Sequence, residues 1–103
     1  MKPQDTCLTI VLPHSLEENL VDHLLGHPEY AAGFTTIQVD GHGQSISRHG
    51  IAEQVRGRSR RVQIQIVMNG EDAKALIEHL KASLPSKEVA YWMSPVMEFG
   101  RFA

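Results

Sequence analysis

The stretch from Arg61 to Leu84 constrains the fold more than any other part of the chain. Val62, Ile64, Ile66 and Met68 alternate with Gln63 and Gln65, the period-two signature of a strand with one buried face. Asn69-Gly70 makes the turn, and Ala73, Leu76, Ile77, Leu80 and Leu84 then fall at helical spacing before Pro85. A strand followed this closely by an amphipathic helix buries both apolar surfaces by folding the helix back onto the sheet. The same order occurs earlier. Thr6 to Leu12 is a nearly continuous apolar run stopped by Pro13, which reads as a strand buried on both faces. Ser15-Leu16-Glu17-Glu18 reads as a capping box, and Leu16, Leu20, Val21, Leu24 and Leu25 form a helical stripe ended by Gly26 and Pro28.

Thr35, Ile37 and Val39 alternate up to Asp40-Gly41, and Val89 to Val96 is a last strand with Pro95 near its end. The order is therefore βαββαβ. With right-handed crossovers it predicts an α+β, ferredoxin-like domain: a four-stranded antiparallel sheet with two helices on one face. At 103 residues the chain has room for one such domain, spanning 1–103. No apolar run reaches the ~18 residues of a membrane span, and the first residues do not lead into a signal-peptide core, so a cytoplasmic protein without membrane insertion is expected. The single cysteine, Cys7, excludes an internal disulfide framework and reads as a small core side chain.

Two features exceed a minimal domain of this kind. Strands two and three are separated by about 20 residues, Gly41 to Arg60, where a hairpin loop of about 2–5 is usual. That segment is also the basic part of the chain. Net charge is −2, yet five of the ten basic residues, Arg48, Arg56, Arg58, Arg60 and Arg61, lie between positions 48 and 61. All are arginine, whose rigid donor fork suits carboxylate and phosphate. A local basic stretch in an acidic chain points to an anionic ligand or partner, against a solvated charged face as the bland alternative. The second feature is the last strand. Val89, Tyr91 and Met93 line one face, Ala90 and Trp92 the other, so both faces are apolar while two helices cover only one. Self-association is the expected cover.

Catalytic signatures are missing. There is no G-x-S-x-G elbow, no cysteine–histidine pair at plausible spacing, no Walker loop and no dinucleotide fingerprint, so a non-enzyme is expected. RNA recognition on such a sheet needs aromatic residues on the central strands, and Val62 to Met68 has none, so no nucleic-acid partner is expected. Val55-Arg56-Gly57-Arg58-Ser59-Arg60-Arg61 faintly resembles an acylphosphatase phosphate loop, but it precedes the third strand where that loop follows the first. Six histidines raise a metal reading with zinc or copper as the ion. His42 and His49, flanking the long loop, are the candidates, completed by symmetry mates or an acidic residue across an oligomer interface. His27 is placed beyond a helix already ended at Gly26, and His14 and His79 read as exposed helix-associated residues.

Three local matches make the chain resemble the PII signalling superfamily. Gly41-His42-Gly43-Gln44 is similar to the G-F-G-R/Q turn at the base of that family's T-loop. Arg61-Val62-Gln63-Ile64-Gln65-Ile66-Val67 with Glu71-Asp72 is similar to its K-I-E-I-V-V-x-D-E-D strand and helix start. Ser94-Pro95-Val96-Met97-Glu98 with Arg101 is similar to its S-P-V-E-E-x-x-R-I-R ending. The likeness extends to a divergent bacterial branch, through the E-Q-V-x-G-x-x-R-R-V stretch, that is often associated with heavy-metal efflux systems.

The resemblance implies a homotrimer whose sheets face the threefold axis, with adenine nucleotides in clefts between subunits. It makes residues 41–60 a T-loop-like segment that reshapes on binding and docks on a transporter or regulatory protein. Carried over by position, Gly41 and Gly43 match the loop base, Gln44 or Ser45 replaces the base arginine depending on alignment, and Arg101 matches the first terminal arginine. Lys87 and Arg101 of one subunit, with loop arginines of its neighbour, are the expected donors to an anion's charge, and Arg48, Arg56, Arg58 and Arg60 form the partner-binding surface. The departures are equally specific. The glycine-rich B-loop is replaced by Ser83-Leu84-Pro85-Ser86-Lys87-Glu88, and no second terminal arginine follows Arg101. A monophosphate nucleotide or bicarbonate asks for fewer donors than a triphosphate and fits the reduced set better. The expected function is a trimeric regulatory protein that binds a small anionic effector. The alternatives are a metal-responsive trimer linked to metal efflux and an interaction module with no small-molecule ligand.

Overall fold

The structure is a computed structural model that describes residues 2–29, 33–42 and 58–103. Its elements run β1 (Thr6–Pro13), a 3-10 turn (His14–Leu16), α1 (Glu17–Leu25), β2 (Thr35–His42), β3 (Arg58–Met68), α2 (Gly70–Ser83) and β4 (Ala90–Pro95). The sheet order is β2-β3-β1-β4, every pairing antiparallel, which is the α+β ferredoxin-like arrangement expected from the element order.

Register explains the core. Leu8, Ile10 and Leu12 stand opposite Ile66, Ile64 and Val62 on the two central strands. This face is closed by Leu20 and Leu24 of α1 and by Ala73, Leu76, Ile77 and Leu80 of α2. Each of these residues is buried, so the alternation in β3 and the stripe in α2 meet as their spacing predicts. Asn69 caps α2, its side-chain oxygen accepting from the amides of Glu71 (3.1 Å) and Asp72 (3.4 Å), and the two acids complement the helix dipole. Tyr91 and Met93 pair with Ile10 and Leu8 on the helix-covered side, leaving Ala90 and Trp92 on the other. On that open face β1 is only partly covered at Cys7 and Val11, so burial on both faces is incomplete.

Three local expectations are corrected. The capping box at Ser15 does not form. Pro13 (φ −58°, ψ 143°) leads straight into the 3-10 turn, and α1 starts at Glu17 with Leu16 as its cap residue and no side-chain cap hydrogen bond. Ser15 lies inside that turn and lacks the extended backbone a capping serine needs. Leu25 does not belong to the buried stripe: it is 65% exposed, because Leu20 and Leu24 already occupy the side of α1 that meets the sheet. Finally, the loop between strands is shorter than the alternation implied. The β2–β3 ladder continues through Asp40↔Arg60 and Gly41↔Ser59 to His42↔Arg58, so Gly41, His42, Arg58, Ser59 and Arg60, assigned to the loop, are strand residues. Among the described residues no helix is long and apolar enough to cross a membrane.

Candidate functional site

One end of the sheet is organised around Arg61. Its side chain is 8% exposed, an unusual degree of burial for a guanidinium. Nε donates to Ser59 Oγ at 3.0 Å, and NH1 donates to the carbonyl oxygen of Glu88 at 2.8 Å. The aliphatic part of the side chain lies across Gly41 of the neighbouring strand. A Cβ at position 41 would sit 2.6 Å from Arg61 Cδ and 2.8 Å from Nε, so glycine is the residue that admits this path. Arg61 thus connects the end of β2 to the turn before β4. In that turn the Glu88 amide donates to Ser86 Oγ at 3.2 Å and the Val89 amide to the Ser86 carbonyl at 3.4 Å, which holds Lys87 outward and exposed.

Arg61→Ala removes two charge-assisted hydrogen bonds, those to Ser59 Oγ and to the Glu88 carbonyl. It is expected to cost about 2 kcal/mol, a fall of roughly 10 °C in thermal midpoint. Arg61→Lys should recover little of this, because an ammonium cannot reproduce the two-pronged geometry. A variant melting with the native chain would show that Arg61 does not tie the two segments.

The other end of the sheet carries Arg101. The chain leaves β4 with the Val96 amide bonded to the Asp5 carbonyl (2.9 Å), then runs over a broad open groove that Arg101 lines together with Asp5, Gln65, Asn69, Asp72 and Phe99. Lys2 Nζ donates to Asp72 at 2.8 Å beside it. Arg101 itself is exposed. Along β3, the Arg61 level and the Met68 level are seven residues apart, which at a rise near 3.4 Å puts the two ends about 24 Å from each other.

The sequence-predicted residues are therefore divided. Gly41 and Lys87 stand at the Arg61 end, and Arg101 stands at the opposite end of the same chain. Arg58 and Arg60 lie on β3, in register with His42 and Asp40. Gly43, Gln44, Arg48, His49 and Arg56 lie outside the described residues. Arg61 is one of the five arginines of the basic stretch and opens the third-strand motif in sequence; its path over Gly41 is legible only once β2 and β3 are in register.

Two further arrangements bear on function. On the open face of the sheet Ile37 and Trp92 are 47% and 48% exposed, and the following segment adds Met97, Phe99 and Phe102 as exposed apolar side chains. On the helix side, His23, His27 and His79 are gathered with their ligating atoms within 4.8 Å of one another. This is the one such grouping of histidine, cysteine and carboxylate side chains among the described residues, and it does not include His42.

Comparison with known proteins adds the following. Residues 2–103 match a family described as "Protein of unknown function (DUF3240)". The fold is similar to that of a DUF3240 family protein from Shewanella baltica OS155, at a TM-score of 0.75 and 18% identity, covering 98% of this chain and 99% of that one. It is also similar to CPII, a nitrogen regulatory PII-like protein from Thiomonas intermedia K12 bound to ADP, AMP and bicarbonate, with TM-score 0.69, 18% identity, and 94% and 93% of the two chains covered. The same protein bound to ADP, AMP and acetate gives 0.69 at 15% identity, covering 94% of this chain and 89% of that one. No curated protein sequence matches the chain.

Proposed function

The chain belongs to the DUF3240 family and has a PII-like fold, and from that premise we propose that it is a regulatory protein, not an enzyme, working as a homotrimer. Residues 1–103 act as one domain, and the 41–60 segment, whose two ends lie on β2 and β3, is T-loop-like. A small anionic effector, an adenine nucleotide or a smaller anion such as bicarbonate, binds in clefts between subunits. Arg48, Arg56, Arg58 and Arg60 then present an altered surface to a partner protein, a transporter or regulator met in the cytoplasm.

One observation carries this reading. The residues suited to an anion sit at opposite ends of the sheet, about 24 Å apart at a strand rise near 3.4 Å. A second copy, placed with its Arg101 end against the Gly41–Lys87 end of the first, brings them together. The open sheet face, with Ile37 and Trp92 half exposed, is the surface such an assembly would cover. The bound ADP, AMP and bicarbonate of CPII support the choice of ligand class. The turn at Ser86 to Val89, which has no glycine-rich cradle, supports a small anion over a triphosphate.

The test is calorimetric titration with AMP, ADP and bicarbonate. Arg101→Ala is expected to weaken binding about 10- to 100-fold, the loss of one charge-assisted contact, with the assembly unchanged. Lys87→Ala should do the same from the other end. Assemblies mixed from the two variants are expected to regain part of the native binding, because some clefts then receive Lys87 from one copy and Arg101 from another. Binding that stays absent in every mixture would contradict a cleft shared between copies.

A further inference from the structure

We propose that His23, His27 and His79 form a binding site for a divalent late transition-metal ion, of the class that prefers imidazole nitrogen: zinc, copper(II) or nickel. The three residues come from two helices. His23 lies in the last turn of α1. His27 follows the helix, yet it keeps helical spacing from His23. Gly26 has right-handed helical torsions (φ −78°, ψ −6°), its amide bonds to the Asp22 carbonyl at 3.0 Å, and the His27 amide bonds to the Leu24 carbonyl at 3.1 Å. The turn thus continues far enough to set both imidazoles on one side. His79, on α2, completes the group from across the helix layer, its ring centroid 4.3 Å from that of His27 and 6.3 Å from that of His23.

The chemistry fits a three-nitrogen site. Zinc–nitrogen bonds near 2.0–2.1 Å in tetrahedral geometry place ligating atoms about 3.4 Å apart. Ligating atoms within 4.8 Å reach that spacing by small side-chain rotations, without moving either helix. His27 is also oriented as a ligand would be. Its Nδ1 is 3.0 Å from Glu29 Oε1, and a proton on Nδ1 donated to that carboxylate selects the tautomer in which Nε2 is the unprotonated nitrogen. His23 and His27 are half-buried and His79 is exposed, so the site is supported from beneath and open to an entering ion and to a fourth, exogenous ligand. The edge-on ring packing, at interplanar angles of 70° and 72°, is the competing use of the same three side chains. It does not by itself call for a carboxylate on His27 Nδ1.

None of these residues serves the anion cleft, so this inference stands or falls independently of that reading. Equilibrium dialysis of the untagged full chain against zinc, copper(II) and nickel decides it. One ion per chain is expected, with affinity at least tenfold lower in His79→Ala and in His23→Ala, and unchanged in His42→Ala. Since His79 is exposed, its variant is expected to keep the native circular dichroism spectrum and melting point, and to lose only the rise in melting point that zinc gives the native chain. Failure of the native chain to retain any of the three ions would overturn the proposal. So would native affinity in His79→Ala, or loss of binding confined to His42→Ala.

Discussion

Trp92→Glu is expected to convert the assembly to monomers while leaving each subunit folded. Trp92 stands on the open face of β4, opposite Thr9, and shares no contact with the helix-side core. At 48% exposed, it keeps about 120 Å² of ring surface in water if a tryptophan side chain offers about 250 Å². Covering that area contributes about 3 kcal/mol per subunit at 25 cal/mol/Å². A carboxylate in its place forfeits this and must be desolvated. Around a symmetry axis the new charges would also face one another. Sedimentation equilibrium should report the mass of a single chain, with the far-ultraviolet spectrum unchanged. A variant of undiminished mass would show that the open face is not the interface.

The second large effect lies in the core. Ile64 is fully buried at the centre of β3, between Ile10 of β1 and Thr36 of β2. Ile64→Ala is expected to cost about 4 kcal/mol, from lost transfer energy and the cavity left under α1 and α2. Against a total stability of roughly 5–15 kcal/mol this is a large fraction. It corresponds to a fall of about 20 °C or more in thermal midpoint for a domain of this length. Gln65, its neighbour on the open face and no part of the helix-side core, should lose well under half as much stability on change to alanine. Equal effects at the two positions would contradict the register of β3.

That register was legible because two independent patterns agree. Val62 to Met68 alternates, and the stripe from Ala73 to Leu80 begins immediately after an Asn69 cap, so strand, turn and helix constrain one another. Where only one pattern was present the reading was weaker. Ser15 and Glu18 have the spacing of a capping box, but Pro13 sends the chain into a 3-10 turn that no spacing rule anticipates. Gly26 does end α1, as its place before Pro28 implies, but that end does not part His27 from His23. Glycine tolerates left-handed torsions without requiring them, and here it keeps right-handed ones.

The candidate sites were legible only in part, for a related reason. Gly41 and Arg101 follow from resemblance and Lys87 from its charge, and their distance from one another is a property of strand length and order. Likewise, nothing in the spacing of α2 says that His79 faces the end of α1, because that depends on how two helices sit on one sheet. Arg61 stands at the start of the alternating strand in sequence, but its partners across the sheet do not show there. Its role follows from ladder pairs that extend into a stretch whose composition reads as irregular.

Native mass spectrometry of the gently purified protein, alone and with AMP, ADP and bicarbonate, tests the shared-cleft reading most directly. A trimer is predicted, taking up as many as three effector molecules and losing that uptake, but not its mass, in Arg101→Ala. A monomer that binds none of them would contradict both the assembly and the cleft it is proposed to create.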